Sequence, residues 1–322
     1  MTSETPWIGP NGQVMERLEL HLTYTCPERC VFCSEDHRMR QYNPFPVNWA
    51  RAATVLRMHA SRGVTNIHVT GGEPTIHPQF VEVLALAKKL GMRTSVGTIG
   101  TMLAEEDFAK RALPHLDEAL FSLHGPNAEV HDGLTGRPGS FERVTRALTL
   151  AQELKPGFGA YVNTVVTTRN IDCLPETVAL ADELGAALVV VSNTTPEGAA
   201  LDSYEDLAVP QAKLAEVLPR VPERAQNAVL RFFGVPMCLL GPHRMLSNDL
   251  HWDPRVTVEW ASEPGKVVFD DFYNWKPDRK RAMLEPCTQC DLNQVCMGVY
   301  VRYDELWPTH ASDLVPISLD TE

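Results

Sequence analysis

Between residues 16 and 198, short apolar runs alternate with amphipathic stretches at regular intervals. Runs at 18–23, 66–70, 93–97, 119–123, 160–166 and 188–192 read as strands. Several are near-continuous, in the manner of parallel strands covered on both faces. Between them, apolar residues recur at helical spacing over 49–61, 78–90, 105–113, 141–154 and 174–184. Gly91 and Gly185 follow two of these stretches as helix stops, and Ser140 is placed to N-cap the fourth. Such a run of six β/α units predicts an α/β fold whose parallel sheet curls toward a barrel, with its chemistry at the carboxyl ends of the strands. After Thr195-Pro196-Glu197-Gly198 the rhythm breaks. Helical stretches are expected near 207–217 and 223–229, and alternation over 255–260 and 266–269 around Glu263-Pro264-Gly265 predicts a hairpin.

Composition narrows the class without changing that outline. The 322 residues are 44% apolar and 22% charged, with a net charge of −12; these are ordinary values for a folded chain of about two domains. No apolar run reaches the ~20 residues of a membrane span, and no basic block is present to follow a phosphate backbone. Neither membrane nor nucleic acid is therefore expected as a partner. The first residues carry no basic segment followed by an apolar one, which predicts a cytoplasmic protein. Thiols stay reduced there, so the eight cysteines, clustered near both ends, point to metal rather than disulfides.

Cys26, Cys30 and Cys33 follow the first predicted strand with the spacing Cys-x3-Cys-x2-Cys. Three thiolates on a four-iron cluster leave one iron open for a substrate or cofactor. A closed zinc site would need a fourth ligand, from His37 or a distant residue. The pattern resembles the radical SAM superfamily, whose signature is this triplet after the first strand of a partial (β/α)6 barrel, with an aromatic residue, here Phe32, before the last cysteine. Thr70-Gly71-Gly72-Glu73-Pro74 ends the second strand and is similar to the family's GGEP segment. Glycines allow close backbone approach, and the resemblance implies that Gly71, Gly72, Glu73 and Pro74 hold the amino group of S-adenosylmethionine (SAM). Ser122-Leu123-His124-Gly125, with His131-Asp132, resembles the stretch after strand four whose serine helps bind SAM. His124 stands where the family commonly has Asp, and Thr135-Gly136 where it has Arg-Gly; Arg137 is a candidate substitute. Thr98 matches the first residue of a Thr-Asn-Gly motif after strand three. Asn163 faces the SAM ribose, or makes a core hydrogen bond, if its neighbours on strand five point outward.

Near the other end, Cys287, Cys290 and Cys296 are spaced Cys-x2-Cys-x5-Cys, with Cys238 upstream. Four thiolates close a second four-iron cluster, and they also suit a zinc ribbon. The spacing resembles the auxiliary-cluster extension called SPASM, or its shortened form, twitch. Tyr300 stands where the full pattern has a further cysteine, which implies one auxiliary cluster. Cys173, at a helix start, reads as a small buried hydrophobe or, as in several relatives, a hydrogen-atom donor. His21 reads as core, and Trp252, Trp260 and Trp275 as packing. Lys276, Arg279, Lys280 and Arg281 read as a solvated helix face, with an anionic substrate as the alternative contact.

The resemblance implies a lead-in over 1–17, a radical SAM core over 18–198, a helical connector over 199–237 and a twitch-like hairpin and helix extension over 238–322. It implies an enzyme that takes one electron from a donor such as flavodoxin or ferredoxin, cleaves SAM to a 5′-deoxyadenosyl radical and removes hydrogen from a C–H bond. The expected outcome is an oxidation or rearrangement in natural-product or cofactor biosynthesis. About 17 residues precede the first strand, too few for the leader-binding domain of many peptide maturases. A small-molecule substrate is therefore expected, with ribosomal-peptide maturation as the alternative. The competing class is a non-enzymatic zinc-binding interaction protein, colourless and inert toward SAM.

Overall fold

The computed structural model describes residue 8, residues 12–277 and residues 280–319. Much of the expected lead-in, residues 1–7 and 9–11, lies outside the described residues, as does Arg279. Seven parallel strands form the centre: β1 (Arg17–Thr23), β2 (Asn66–Gly71), β3 (Arg93–Thr98), β4 (Glu118–Ser122), β5 (Gly159–Val166), β6 (Leu188–Asn193) and β7 (Val229–Phe233). On the far side of β1, β8 (Arg255–Glu263) pairs parallel, and β9 (Lys266–Asn274) returns antiparallel to it. The order is β7-β6-β5-β4-β3-β2-β1-β8-β9. The sheet is not closed, which fits a partial barrel with a C-terminal extension.

Helices α1 (Asp36–Tyr42), α2 (Trp49–Ser61), α3 (Phe80–Lys89), α4 (Glu106–Ala112), α5 (Ala128–Thr135), α6 (Ser140–Leu154) and α7 (Leu174–Glu183) link the strands. Leu18, Leu20 and Leu22 of β1 join one core with Leu56 of α2 and Leu84 of α3. The alternate residues of the strands face inward. On β5, Ala160, Val162, Thr164 and Val166 are buried, while Tyr161, Asn163 and Val165 line a central cavity. Strands β4 to β7 therefore alternate, because their inner side borders the cavity, whereas β1, β2 and β3 carry the continuous buried runs expected of strands covered on both faces. No helix among the described residues is long and apolar enough to cross a membrane.

Two local expectations need correction. The stretch 223–229 is not an α-helix: only Glu223 and Arg224 belong to a 3-10 helix, Leu218–Arg224, Asp182 Oδ1 accepts from Asn227 N (2.8 Å) and Ala228 N (2.6 Å), and β7 begins at Val229. Ser140 does not cap α6. It is the helix's first residue, and Asp132 caps from a distance by accepting from Gly139 N (2.6 Å) and Phe141 N (2.9 Å). The predicted hairpin is present as β8 and β9, and β8 joins it to β1. A small antiparallel pair, β10 (Arg281–Ala282) with β11 (Val299–Tyr300), follows it.

Candidate active site

The loop after β1 carries Cys26, Cys30 and Cys33, all partly buried and unpaired. It is fastened to the α5 end by hydrogen bonds from Arg29 N to Thr135 O (2.9 Å) and from Val31 N to Leu134 O (3.0 Å). Ser140 Oγ donates to the Glu28 carboxylate inside the loop. Phe32 meets His124 edge-on at 4.6 Å, and His124 stacks on His131 at 5.6 Å. His124 Nδ1 accepts from Val165 N, and His131 Nδ1 accepts from His124 N. Burial holds the His124 imidazole well below the ordinary range and His131 down to about 4. Both rings are thus neutral supports for the aromatic side chain between the last two cysteines.

Burial pushes the Cys26 thiol up to about 12 and Cys33 up to about 11, and raises Cys30, each with a further contribution from neighbouring acids and thiols. Three such sulfurs become thiolates together only beside a strong cation, and three-sulfur ligation suits a four-iron cluster with one open iron. The donor set therefore fits the cofactor.

Gly71 and Gly72 form the opposite lip. Gly71 sits at φ +113°, and a Cβ at either glycine would run into the carbonyls of Thr23 and Thr25. Those carbonyls accept from Gly72 N (2.6 Å) and Glu73 N (2.9 Å), so the two loops are stitched together. Glu73 is wholly buried. Its carboxylate accepts from Thr75 N (3.1 Å), Thr75 Oγ1, Thr98 Oγ1 (2.7 Å) and Ile99 N (2.8 Å). Burial raises its pKa, and these donors oppose the rise.

A cavity of about 810 Å3 brings together Cys26, Cys30, Cys33, Phe32, Gly71 and Gly72. Ser122 and Asn163, register partners on β4 and β5, line it too. Asn163 Oδ1 accepts from Ser192 Oγ at 2.6 Å, so this residue makes an internal hydrogen bond while lining the cavity. Glu73, Pro74 and Thr98 stand behind the wall, holding the glycine loop.

Several lining residues carried no recognised signal. His68 on β2 is one: Ser95 Oγ donates to Ile67 O (3.0 Å), so His68 Nδ1 donates to Ser95 (2.9 Å) and Nε2 is left as an acceptor. Burial, then Arg17, hold its pKa down to about 3. Arg231 on β7 is another, two residues beyond the end of the expected helical stretch. Trp252 lines the cavity, stacked on Phe233 at 6.3 Å and under Arg255 at 4.3 Å, and is not mere packing. Trp260 does pack, on Phe269 and Phe45, and Trp275 packs against the main core.

Between β1 and β8 the inner side is ionic. Arg255 pairs with Glu19 (3.2 Å), and His21 lies among Glu35 (3.5 Å), Glu259 (3.6 Å) and Glu19 (3.7 Å). His21, Glu35 and Glu259 present ligand-type atoms within 4.8 Å of one another. However, Arg38 pairs with both carboxylates, at 3.4 and 2.9 Å. Burial alone would lower the His21 pKa, but Glu35, Glu19 and Glu259 outweigh it and raise it. His21 is thus a buried residue of the core, set among these carboxylates.

Cys238, Cys287, Cys290 and Cys296 line a second, apolar pocket. Ile317 N approaches Cys290 Sγ (3.5 Å) and Gly298 N approaches Cys296 Sγ (3.4 Å), the backbone donation that thiolate ligands favour. Burial, then the other three sulfurs, push Cys238 up to about 12. Tyr300 is buried, and its hydroxyl lies 3.1 Å from Thr195 Oγ1, tying this region to the end of β6. Cys173 Sγ donates to Asn170 O at 3.4 Å, and its residue lines neither pocket. The basic run is not a helix face. Lys276 and Lys280 are exposed loop residues, but Arg281 is buried against Asp249, whose other oxygen takes Met297 N (3.1 Å).

Comparison with known proteins agrees with this geometry. The PqqA peptide cyclase of Gluconobacter oxydans is 29% identical over 212 residues, 65% of this chain and 58% of that protein. The AdoMet-dependent heme synthase of Methanosarcina barkeri is 34% identical over 146 residues, 45% of this chain and 41% of its own. The chain spans about half the length of these curated relatives. Streptococcus suis SuiB bound to precursor peptide SuiA superposes with a TM-score of 0.62 at 16% identity, over 90% of this chain and 73% of that one. The Radical SAM superfamily model matches residues 20–181, half of the chain: it belongs to the radical SAM superfamily, and its C-terminal cysteines fit the SPASM/twitch type.

Proposed function

We propose that this radical SAM enzyme removes hydrogen from a C–H bond of a substrate held in the cavity on the inner side of the sheet. One arrangement carries the reading: the three cysteines, the Gly71 and Gly72 backbone and the Ser122 and Asn163 pair all open on the same 810 Å3 space. When bound, the four-iron cluster and SAM supply the one-electron cleavage and the 5′-deoxyadenosyl radical. The chain's part is to bind and exclude. Gly71 and Gly72 offer carbonyls to the SAM ammonium, Glu73 and Thr98 fix that loop, and Ser122 and Asn163 offer polar groups to the ribose. The surrounding strands shield the reacting centre from water. Cys238, Cys287, Cys290 and Cys296 would hold the auxiliary cluster with no iron open, so the substrate does not coordinate it. An electron donor of flavodoxin or ferredoxin type belongs to the proposal.

Relatives named as a peptide cyclase and seen with a precursor peptide favour a peptide substrate, against the small molecule expected from the sequence. A small molecule remains the second reading, favoured by the cavity volume, which falls in the ~300–1,000 Å3 range of small-molecule sites. After anaerobic reconstitution with dithionite and SAM, the protein is expected to be brown and to form 5′-deoxyadenosine. The triple variant Cys26→Ala, Cys30→Ala, Cys33→Ala is expected to form none, and persistent turnover in it overturns the assignment.

A further inference from the structure

Resting on that reading, we infer that the substrate presents a carboxylate or phosphate to Arg231, attached to an apolar body that packs beside the Phe233–Trp252 pair. The charges of the cavity wall are otherwise matched. Arg17 pairs with Asp253 (3.3 Å), Arg255 with Glu19 (3.2 Å), and Glu118 with Arg93 (2.7 Å). Arg231 lines the same cavity but, among the described residues, has no carboxylate partner. Its hydrogen bond runs from Nη1 to the adjacent Leu230 O at 2.9 Å. A guanidinium carries five donors in a fork that fits carboxylate and phosphate oxygens, so most of this one's capacity is unused.

Position separates this anion from SAM. Ser122, Asn163, Val190 and Arg231 form one register row across β4, β5, β6 and β7. At ~4.8 Å between strands, Arg231 stands roughly 14 Å along the sheet from Ser122. The residues that resemble SAM contacts lie on the loops and strands from β1 to β5, so the anion at Arg231 belongs to the substrate. Two residues further along the same face, Phe233 stacks with Trp252, and Arg255 already covers Trp252. An aromatic pair therefore adjoins the unpaired cation. The reacting carbon would sit between the anchored anion and the cluster.

The test uses the full chain with its clusters loaded and no reductant. Calorimetry compares 2-naphthoate with its neutral isostere 2-naphthamide, and acetyl-Glu-Phe-amide with acetyl-Gln-Phe-amide. At least a tenfold preference for naphthoate is expected, lost in Arg231→Met and in Arg231→Gln and partly kept in Arg231→Lys. A matching Glu-over-Gln preference that also depends on Arg231 assigns the anion to a peptide, and its absence assigns it to a small molecule. Equal binding of naphthoate and naphthamide overturns the inference. So does a preference that survives in the Met and Gln variants, once their melting curves show them folded. The 5′-deoxyadenosine assay on the unmodified protein is scored separately, so failure of anion binding and failure of the SAM reading are distinguishable.

Discussion

Glu73 takes four hydrogen bonds from Thr75, Thr98 and Ile99 in a site without solvent. A buried carboxylate is stable only while such donors surround it, so the glycine loop it anchors is pre-formed before any ligand arrives. Thr98→Val removes one donor without changing the side chain's shape. It is expected to cost ~1–3 kcal/mol in denaturant unfolding and to weaken SAM binding in the same preparation. Unchanged stability would show that the remaining donors suffice. From the sequence, Thr98 and Glu73 read as contacts to SAM, because motif spacing marks which residues matter without showing which way a side chain turns. Gly71 and Gly72 were legible as positions of close backbone approach, but the approach the structure shows is to the Thr23 and Thr25 carbonyls, which admit no side chain.

Among the elements, the C-terminal cysteines depend on segments far apart in the chain: the 3-10 helix Met237–Leu246 brings Cys238, and Glu285–Gln289 brings Cys287. If both clusters form, the protein carries about eight irons. Changing Cys287 and Cys290 to Ala is expected to lower this to about four while SAM cleavage at the first cluster persists. An unchanged iron content rejects the ligand set. Strand β7 shows why local pattern falls short here. Residues 223–228 favour a helix by propensity, but Val229 N bonds Ala187 O at 3.0 Å and β7 completes its ladder on β6. Pairing with a strand some forty residues away decided the conformation, a contact outside any local window.

Across the whole molecule, the buried network of Glu19, His21, Glu35, Arg38, Glu259 and Arg255 fastens β1, β8 and the cluster loop to one another. The carboxylates raise the His21 pKa above its unfolded value of about 6.5. Its contribution to stability is therefore fully present below about pH 6.5 and is lost as pH rises through the raised folded-state value. The stability difference between the parent and His21→Asn, from denaturant curves, is expected to shrink as pH is raised across that range; a difference that grows instead would reverse the sign of the shift. The sequence by itself determined the β/α rhythm, both cysteine spacings and the glycine loop, because periodicity and ligand spacing are written along the chain. Only the tertiary structure decided that β7 and β8 extend the sheet at its two sides and that Arg281 is buried. It also decided that Arg231 and Trp252 face the same cavity as Cys26, Cys30 and Cys33, because those outcomes depend on residues that meet only when distant strands pair.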